Sequence, residues 1–187
     1  VPKEPLEDDE EAVKKFNEIN KEIQEIKWIE IFYPIELCKN GVQIIDTPGV
    51  NDINEAREEV TYKFIPQADA AVFILDCQQP LSRSETKFLK DRILKNQINK
   101  IFFVLNKADQ LDSEADKNKV ISYLNAEISK FCINPKIFPV SSKMALEGKK
   151  NKDADIIKNS LILEFENNLT SFLLSEKGKM LLEYPLN

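Results

Sequence analysis

The chain has 187 residues, 42% of them apolar and 31% charged, enough for one medium α/β domain with a sizeable core. Its longest wholly apolar run, 70–75, falls far short of the roughly 20 residues a membrane helix needs, so nothing in it reads as a span. A net charge of −6 argues against a broad nucleic-acid footprint and against contact with an anionic membrane surface, and the lack of histidine excludes His-based triads, general bases and metal ligands.

The chain opens acidic, at Glu7 to Glu11, with no signal-peptide pattern. Ala12, Val13, Phe16, Ile19, Ile23 and Ile26 recur at three- and four-residue steps, which predicts an amphipathic helix over 8–26. Ile29, Ile31 and Tyr33 alternate before Pro34, a strand pattern. Asn40-Gly41 then reads as a tight turn, and 42–46 as a second strand closing an antiparallel hairpin. Cys38, Cys77 and Cys132 are far apart and form no C-x-x-C pair, so a zinc site or disulfide framework is not expected and a reduced, cytoplasmic setting fits.

Beyond the hairpin the rhythm is β-α. The run 70–76 reads as a strand buried on both faces, followed by a helix that opens with a capping box, Ser82-Arg83-Ser84-Glu85. Then come a strand over 100–105, a helix capped by Ser113 and reaching about residue 131, and a strand over 137–140. A last helix over 153–175 carries Leu161, Phe165, Leu169 and Phe172 on one stripe. Alternating strands and helices imply a mostly parallel sheet covered on both sides, the three-layer α/β/α class.

Open α/β sheets bind ligands outside the carboxyl ends of their strands, and three such ends carry polar, turn-forming sequence. The first is Asp46-Thr47-Pro48-Gly49. A carboxylate there can hold Mg2+ through water, while Gly49 lets backbone approach a γ-phosphate; singly, D-x-x-G is also a common strand-ending turn. The second is Asn106-Lys107-Ala108-Asp109. Asp109 can accept two hydrogen bonds, from the ring N–H and exocyclic amine of guanine, a pair that adenine does not offer. Asn106 can contact the purine edge and tie loops together, and the stem of Lys107 can lie over the base plane. With each residue type at about one in twenty, N-K-x-D arises by chance in only ~2% of chains this long, so it carries more weight than D-x-x-G. The third is Ser141-Ser142-Lys143, whose backbone amides could bond the guanine oxygen or simply open a helix. Together, and in this order, the three read as a site for GTP or GDP with Mg2+: Asp46 at the metal, Thr47 and Gly49 on the catalytic side, and Asn106, Lys107, Asp109, Ser141, Ser142 and Lys143 around the base.

No G-x-x-x-x-G-K-[ST] phosphate cradle occurs. Gly148-Lys149 and Gly178-Lys179 look like the end of one, but Lys143 and Leu173 stand where the first glycine belongs, and Lys150 and Met180 replace the Ser/Thr. A sheet of this type without its central P-loop strand is incomplete, and the chain alone is expected not to hydrolyse GTP.

The run Asp46-Thr47-Pro48-Gly49-Val50-Asn51-Asp52, with Ala68-Asp69-Ala70, Gln79-Pro80-Leu81-Ser82-Arg83-Ser84-Glu85 and Asn106-Lys107-Ala108-Asp109, resembles the GTPase domain of bacterial dynamin-like proteins. The resemblance implies a helical segment over 1–27 from the insertion before the D-x-x-G strand. It further implies the C-terminal part of the GTPase domain over 28–178 and the start of a linker towards a helical stalk over 179–187. Ser142 stands where that family usually has Ala. The resemblance also implies GTP hydrolysis coupled to membrane remodelling in the full-length protein, homo- or hetero-dimers through the GTPase heads, and a cytoplasmic protein peripheral at the inner membrane. Membrane contact would come only through regions outside this chain, and nucleic acid is not an expected partner. Two other readings stay open on the residues alone: a degenerate, non-catalytic GTPase half serving as an interaction module, and an Era-type GTPase linked to ribosome or tRNA.

Overall fold

The three apolar runs of the second half form β1 (Ala71–Asp76), β2 (Ile101–Asn106) and β3 (Lys136–Pro139). In this computed structural model they make one parallel sheet in the order β1-β2-β3, with Asp76 opposite Asn106 and Leu105 opposite Pro139. The structure describes residues 14, 29–34, 38, 41–47, 64–96, 98 and 100–183, with side chains as far as 175. It divides into two compact units, Val1–Gly41 and Val42–Asn187.

Alternation along the strands builds two cores. Phe73, Leu75, Phe103 and Leu105 face one way, onto Leu89 and Ile93 and onto Leu124 and Ile128. The first pair comes from α1 (Arg83–Phe88) and the π-helical turn Leu89–Leu94 that continues it, the second from α2 (Glu114–Ile128). Phe102, Val104, Phe138 and Val140 face the other way. There they meet the last helix, which is preceded by α3 (Ser142–Asn151) and α4 (Ala154–Asn159) and is itself α5 (Ile162–Glu183). Phe102 is the centre of this second core, with ring centroids 6.2 Å from Phe138 and Phe165 and 5.7 Å from Phe172. On β1 the same face is uncovered: Val72 and Ile74 are exposed.

The caps expected from sequence are present. Ser82 Oγ accepts from Glu85 N at 3.3 Å while Glu85 Oε2 accepts from Ser82 N at 2.6 Å, and Ser113 Oγ accepts from Asp116 N at 3.1 Å. Besides β1, expected to be buried on both faces and buried on one, three expectations differ. The helix over 153–175 is two helices, because Leu161 adopts a left-handed φ of 61° that no helix interior tolerates. Ile162 takes the place on the buried stripe that the unbroken pattern assigns to Leu161. Thirdly, neither strand of the expected hairpin forms: 29–34 and 42–47 are irregular, and Ile29, Ile31, Phe32, Tyr33, Ile44 and Ile45 are exposed. Alternation marks a segment that could bury one face, but a strand exists only through a hydrogen-bonded neighbour. The helix expected over 8–26 lies outside the described residues except for Lys14, which is helical.

Candidate nucleotide-binding site

The carboxyl ends of β2 and β3 lie side by side because the strands are parallel neighbours in register, and the chain leaves both in polar turns. Asn106 closes β2. Its side-chain Oδ1 accepts from Ser142 N at 3.1 Å, which fastens the turn after β2 to the first residue of α3. Ala108 N donates to Val140 O at 3.0 Å, a second tie between the same two ends. Asp109 sits in the 3-10 turn Ala108–Gln110 and is exposed. Ser141 is buried and caps α3 by accepting from Met144 N at 3.2 Å; Ser142 and Lys143 are exposed. Behind them the fully buried Ser160, at the α4–α5 junction, accepts from Ser141 N at 2.9 Å through its carbonyl.

Lys107 has a left-handed φ of 63°, a backbone state that costs a side-chain-bearing residue free energy and persists only where its surroundings over-determine it. Those surroundings come from the end of β1. Lys107 Nζ donates to Asp76 Oδ2 at 2.5 Å, and Cys77 Sγ donates to Lys107 O at 3.0 Å. Cys77 N also donates to Asn106 O at 3.1 Å. The Lys107 ammonium holds the Asp76 carboxyl below the usual carboxylate range, helped by Gln78 N, and Asp76 raises Lys107 in return. Burial pushes the Cys77 thiol up, so at neutral pH it keeps the proton it donates.

The structure thus brings Asn106, Lys107, Asp109, Ser141, Ser142 and Lys143 together at one sheet edge. Asp46 and Thr47 are exposed in irregular chain. Gly49 lies outside the described residues. Sequence reasoning passed over Asp76, Cys77 and Ser160. The strand-end rule that picked out residue 106 applies equally to Asp76, which ends β1 in register with it; Ser160 leaves no such signal, because its role is set by where α4 stops. Gly148, half of an apparent P-loop remnant, is a buried helical residue of α3 facing Ile157 of α4.

The donor set suits a guanine ring: a carboxylate able to take two donors, backbone amides at the start of α3, and a lysine stem beside them. For Mg2+ the described residues hold no group of three His, Cys, Asp or Glu, and Asp46 alone fits an ion that takes one carboxylate and completes its shell from phosphate and water.

The chain belongs to the dynamin family: the sequence profile of the Dynamin family matches residues 3–108. What it carries is part of a bacterial dynamin-like GTPase domain. It is 41% identical over 154 residues to an uncharacterised protein encoded in the xynA 3′ region of Caldicellulosiruptor sp. (strain Rt8B.4), covering 81% of this chain and 38% of that protein. It is 31% identical over 128 residues to dynamin-like protein A of Bacillus subtilis (strain 168), covering 66% of this chain and 11% of the other. A solved chain of an oligomerised bacterial dynamin pair, described as a mechanism for long-range sensing and tethering of membranes, superposes with a TM-score of 0.59 at 29% identity. That match covers 74% of this chain and 21% of that one, so the chain spans well under half the length of these relatives. Among the described residues no helix is long and apolar enough to cross a membrane.

Proposed function

We propose that this chain supplies the guanine-reading half of a GTP-hydrolysing site. Asn106, Lys107, Asp109, Ser141, Ser142 and Lys143 hold the base of GTP or GDP, Asp46 serves Mg2+, and Thr47 and Gly49 stand at the γ-phosphate. The observation that carries this reading is the hydrogen bond from Ser142 N to Asn106 Oδ1, which joins the base-reading and base-supporting turns into one unit. In the full-length protein the site turns over GTP in heads that pair as homo- or hetero-dimers. Hydrolysis is coupled to membrane remodelling by a cytoplasmic protein peripheral at the inner membrane. The chain alone has no phosphate cradle in its sequence, and phosphoryl transfer depends on positioning and charge neutralisation, so it does not turn over GTP by itself.

The test is Asp109→Asn in the full-length protein, read by competition between GTP and XTP. The amide keeps one acceptor for the ring N–H but turns a donor towards the guanine amine, whereas xanthine carries a carbonyl there and restores the match. An unpaired buried donor costs roughly 1–3 kcal/mol, so preference shifts towards xanthine by about tenfold or more. Unchanged preference for GTP in a folded variant would mean that Asp109 does not read the base.

A further inference from the structure

We propose that Asp76 and Cys77, at the end of β1, are positioning residues that set the base-reading turn of β2 and turn the stem of Lys107 into a floor for the purine ring. The inference rests on the reading of Asn106 to Asp109 as the base reader, and goes beyond it by adding a neighbouring strand to the site.

Register places Asp76 directly opposite Asn106, so the residue after each faces its counterpart across one inter-strand gap. Across that gap run three contacts. Cys77 N donates to Asn106 O at 3.1 Å, Cys77 Sγ donates to Lys107 O at 3.0 Å, and Lys107 Nζ donates to Asp76 Oδ2. The Asp76 carboxylate is itself held, because its other oxygen accepts from Gln78 N at 2.9 Å. Lys107 O also accepts from Gln110 N at 2.9 Å. Residue 107 is therefore gripped at its carbonyl and its ammonium, and this grip is what maintains its left-handed φ of 63°.

The ion pair also decides what Lys107 can do. Its ammonium is compensated by Asp76 at the end of the neighbouring strand, so its four-carbon stem spans the ends of β2 and β1 as an apolar bar. A bar of methylenes with a neutralised tip suits the flat face of a purine, not a phosphate. It contacts any purine alike, so it adds affinity without choosing the base; choice stays with Asp109.

The experiment uses the full-length protein and the variants Asp76→Asn, Cys77→Ala and Cys77→Ser, with two readouts. Amide hydrogen exchange of the nucleotide-free protein reports the turn itself. Asp76→Asn and Cys77→Ala should raise exchange over 106–110 about five- to tenfold relative to helix α2, which Leu124 and Ile128 anchor in the first core. Cys77→Ser should restore it, since a hydroxyl can donate where the thiol did. Displacement of fluorescent GDP reports the site: Asp76→Asn should weaken GDP and IDP by the same factor, about fivefold, with their ratio unchanged. Unaltered exchange in both Asp76→Asn and Cys77→Ala, or a Cys77→Ser variant as fast as Cys77→Ala, would overturn the brace. So would a change in the GDP-to-IDP ratio in Asp76→Asn. If exchange responds as expected while the wild type fails to bind GDP, the brace stands and the guanine-reading assignment falls, so the two are separable. Asp76 is partly exposed, so its variant is not expected to disturb folding even if Cys77→Ala does.

Discussion

Gly148→Ala puts helix propensity and packing in direct opposition, so the sign of its effect is the test. In a helix interior Ala is favoured over Gly by about 1 kcal/mol, and propensity alone makes the variant more stable. The geometry says otherwise. A Cβ on Gly148 would sit 2.8 Å from both Ile157 Cγ1 and Ile157 N, and 3.2 Å from Asp153 O. The Ile157 side chain can turn aside; its backbone nitrogen cannot, because it donates to Asp153 O at 3.1 Å inside α4. Asp153 N in turn donates to Gly148 O at 2.9 Å, so α3 and α4 cannot separate without loss of that bond. Overpacking of this kind costs roughly 1–3 kcal/mol, which leaves a net destabilisation of up to about 2 kcal/mol. Urea unfolding followed by circular dichroism measures it, with Glu147→Ala, an exposed neighbour, staying within about 0.5 kcal/mol of wild type. Displacement of α4 also moves Ser160, whose carbonyl accepts from Ser141 N, so guanine-nucleotide affinity should fall with stability. A Gly148→Ala protein more stable than wild type would refute the close-approach argument.

Phe102→Ala empties the centre of the second core, where one ring meets three others, and should cost about 3–5 kcal/mol in the same unfolding assay; a loss below about 1.5 kcal/mol would mean that α5 is not held by this cluster. Acid should destabilise the fold in a stated window. Asp76, Asp91 and Asp116 are held below the ordinary 3.8 by hydrogen bonds from Lys107, Lys95 and Ser113 respectively. A lowered folded-state value gives stability that is complete above the unfolded value and lost as pH falls through the folded one, so loss should begin below about pH 4. The difference in stability between wild type and Asp76→Asn should be full at neutral pH and vanish in that acid window. A difference that does not shrink as pH falls below about 4 would show that the carboxylate's charge is not what Lys107 uses.

Much of this protein is decided locally and is legible in sequence. The runs at β1 and β2 are strands because β-branched and aromatic residues pack on a pleated surface, and the box from Ser82 to Glu85 starts a helix because it satisfies amides within four residues. The strand-end position of Asn106 to Asp109 follows from the same local signals, and so does its chemistry. Tertiary structure decided what depends on residues far apart. Alternation at 29–33 and a turn signal before 42–46 were not enough to make strands, since a ladder needs a neighbour as well as a pattern. Nothing local in residue 161 marks the break between α4 and α5, and Gly148 takes its meaning from Ile157, nine positions on, and not from the lysine that follows it. The ends of β1 and β2 are some thirty residues apart in sequence, and only parallel pairing in register sets Asp76 and Cys77 against Lys107. A site built on the edge of a parallel sheet gathers residues from successive crossovers, so its members can be guessed one strand at a time while the contacts between them are fixed by register alone.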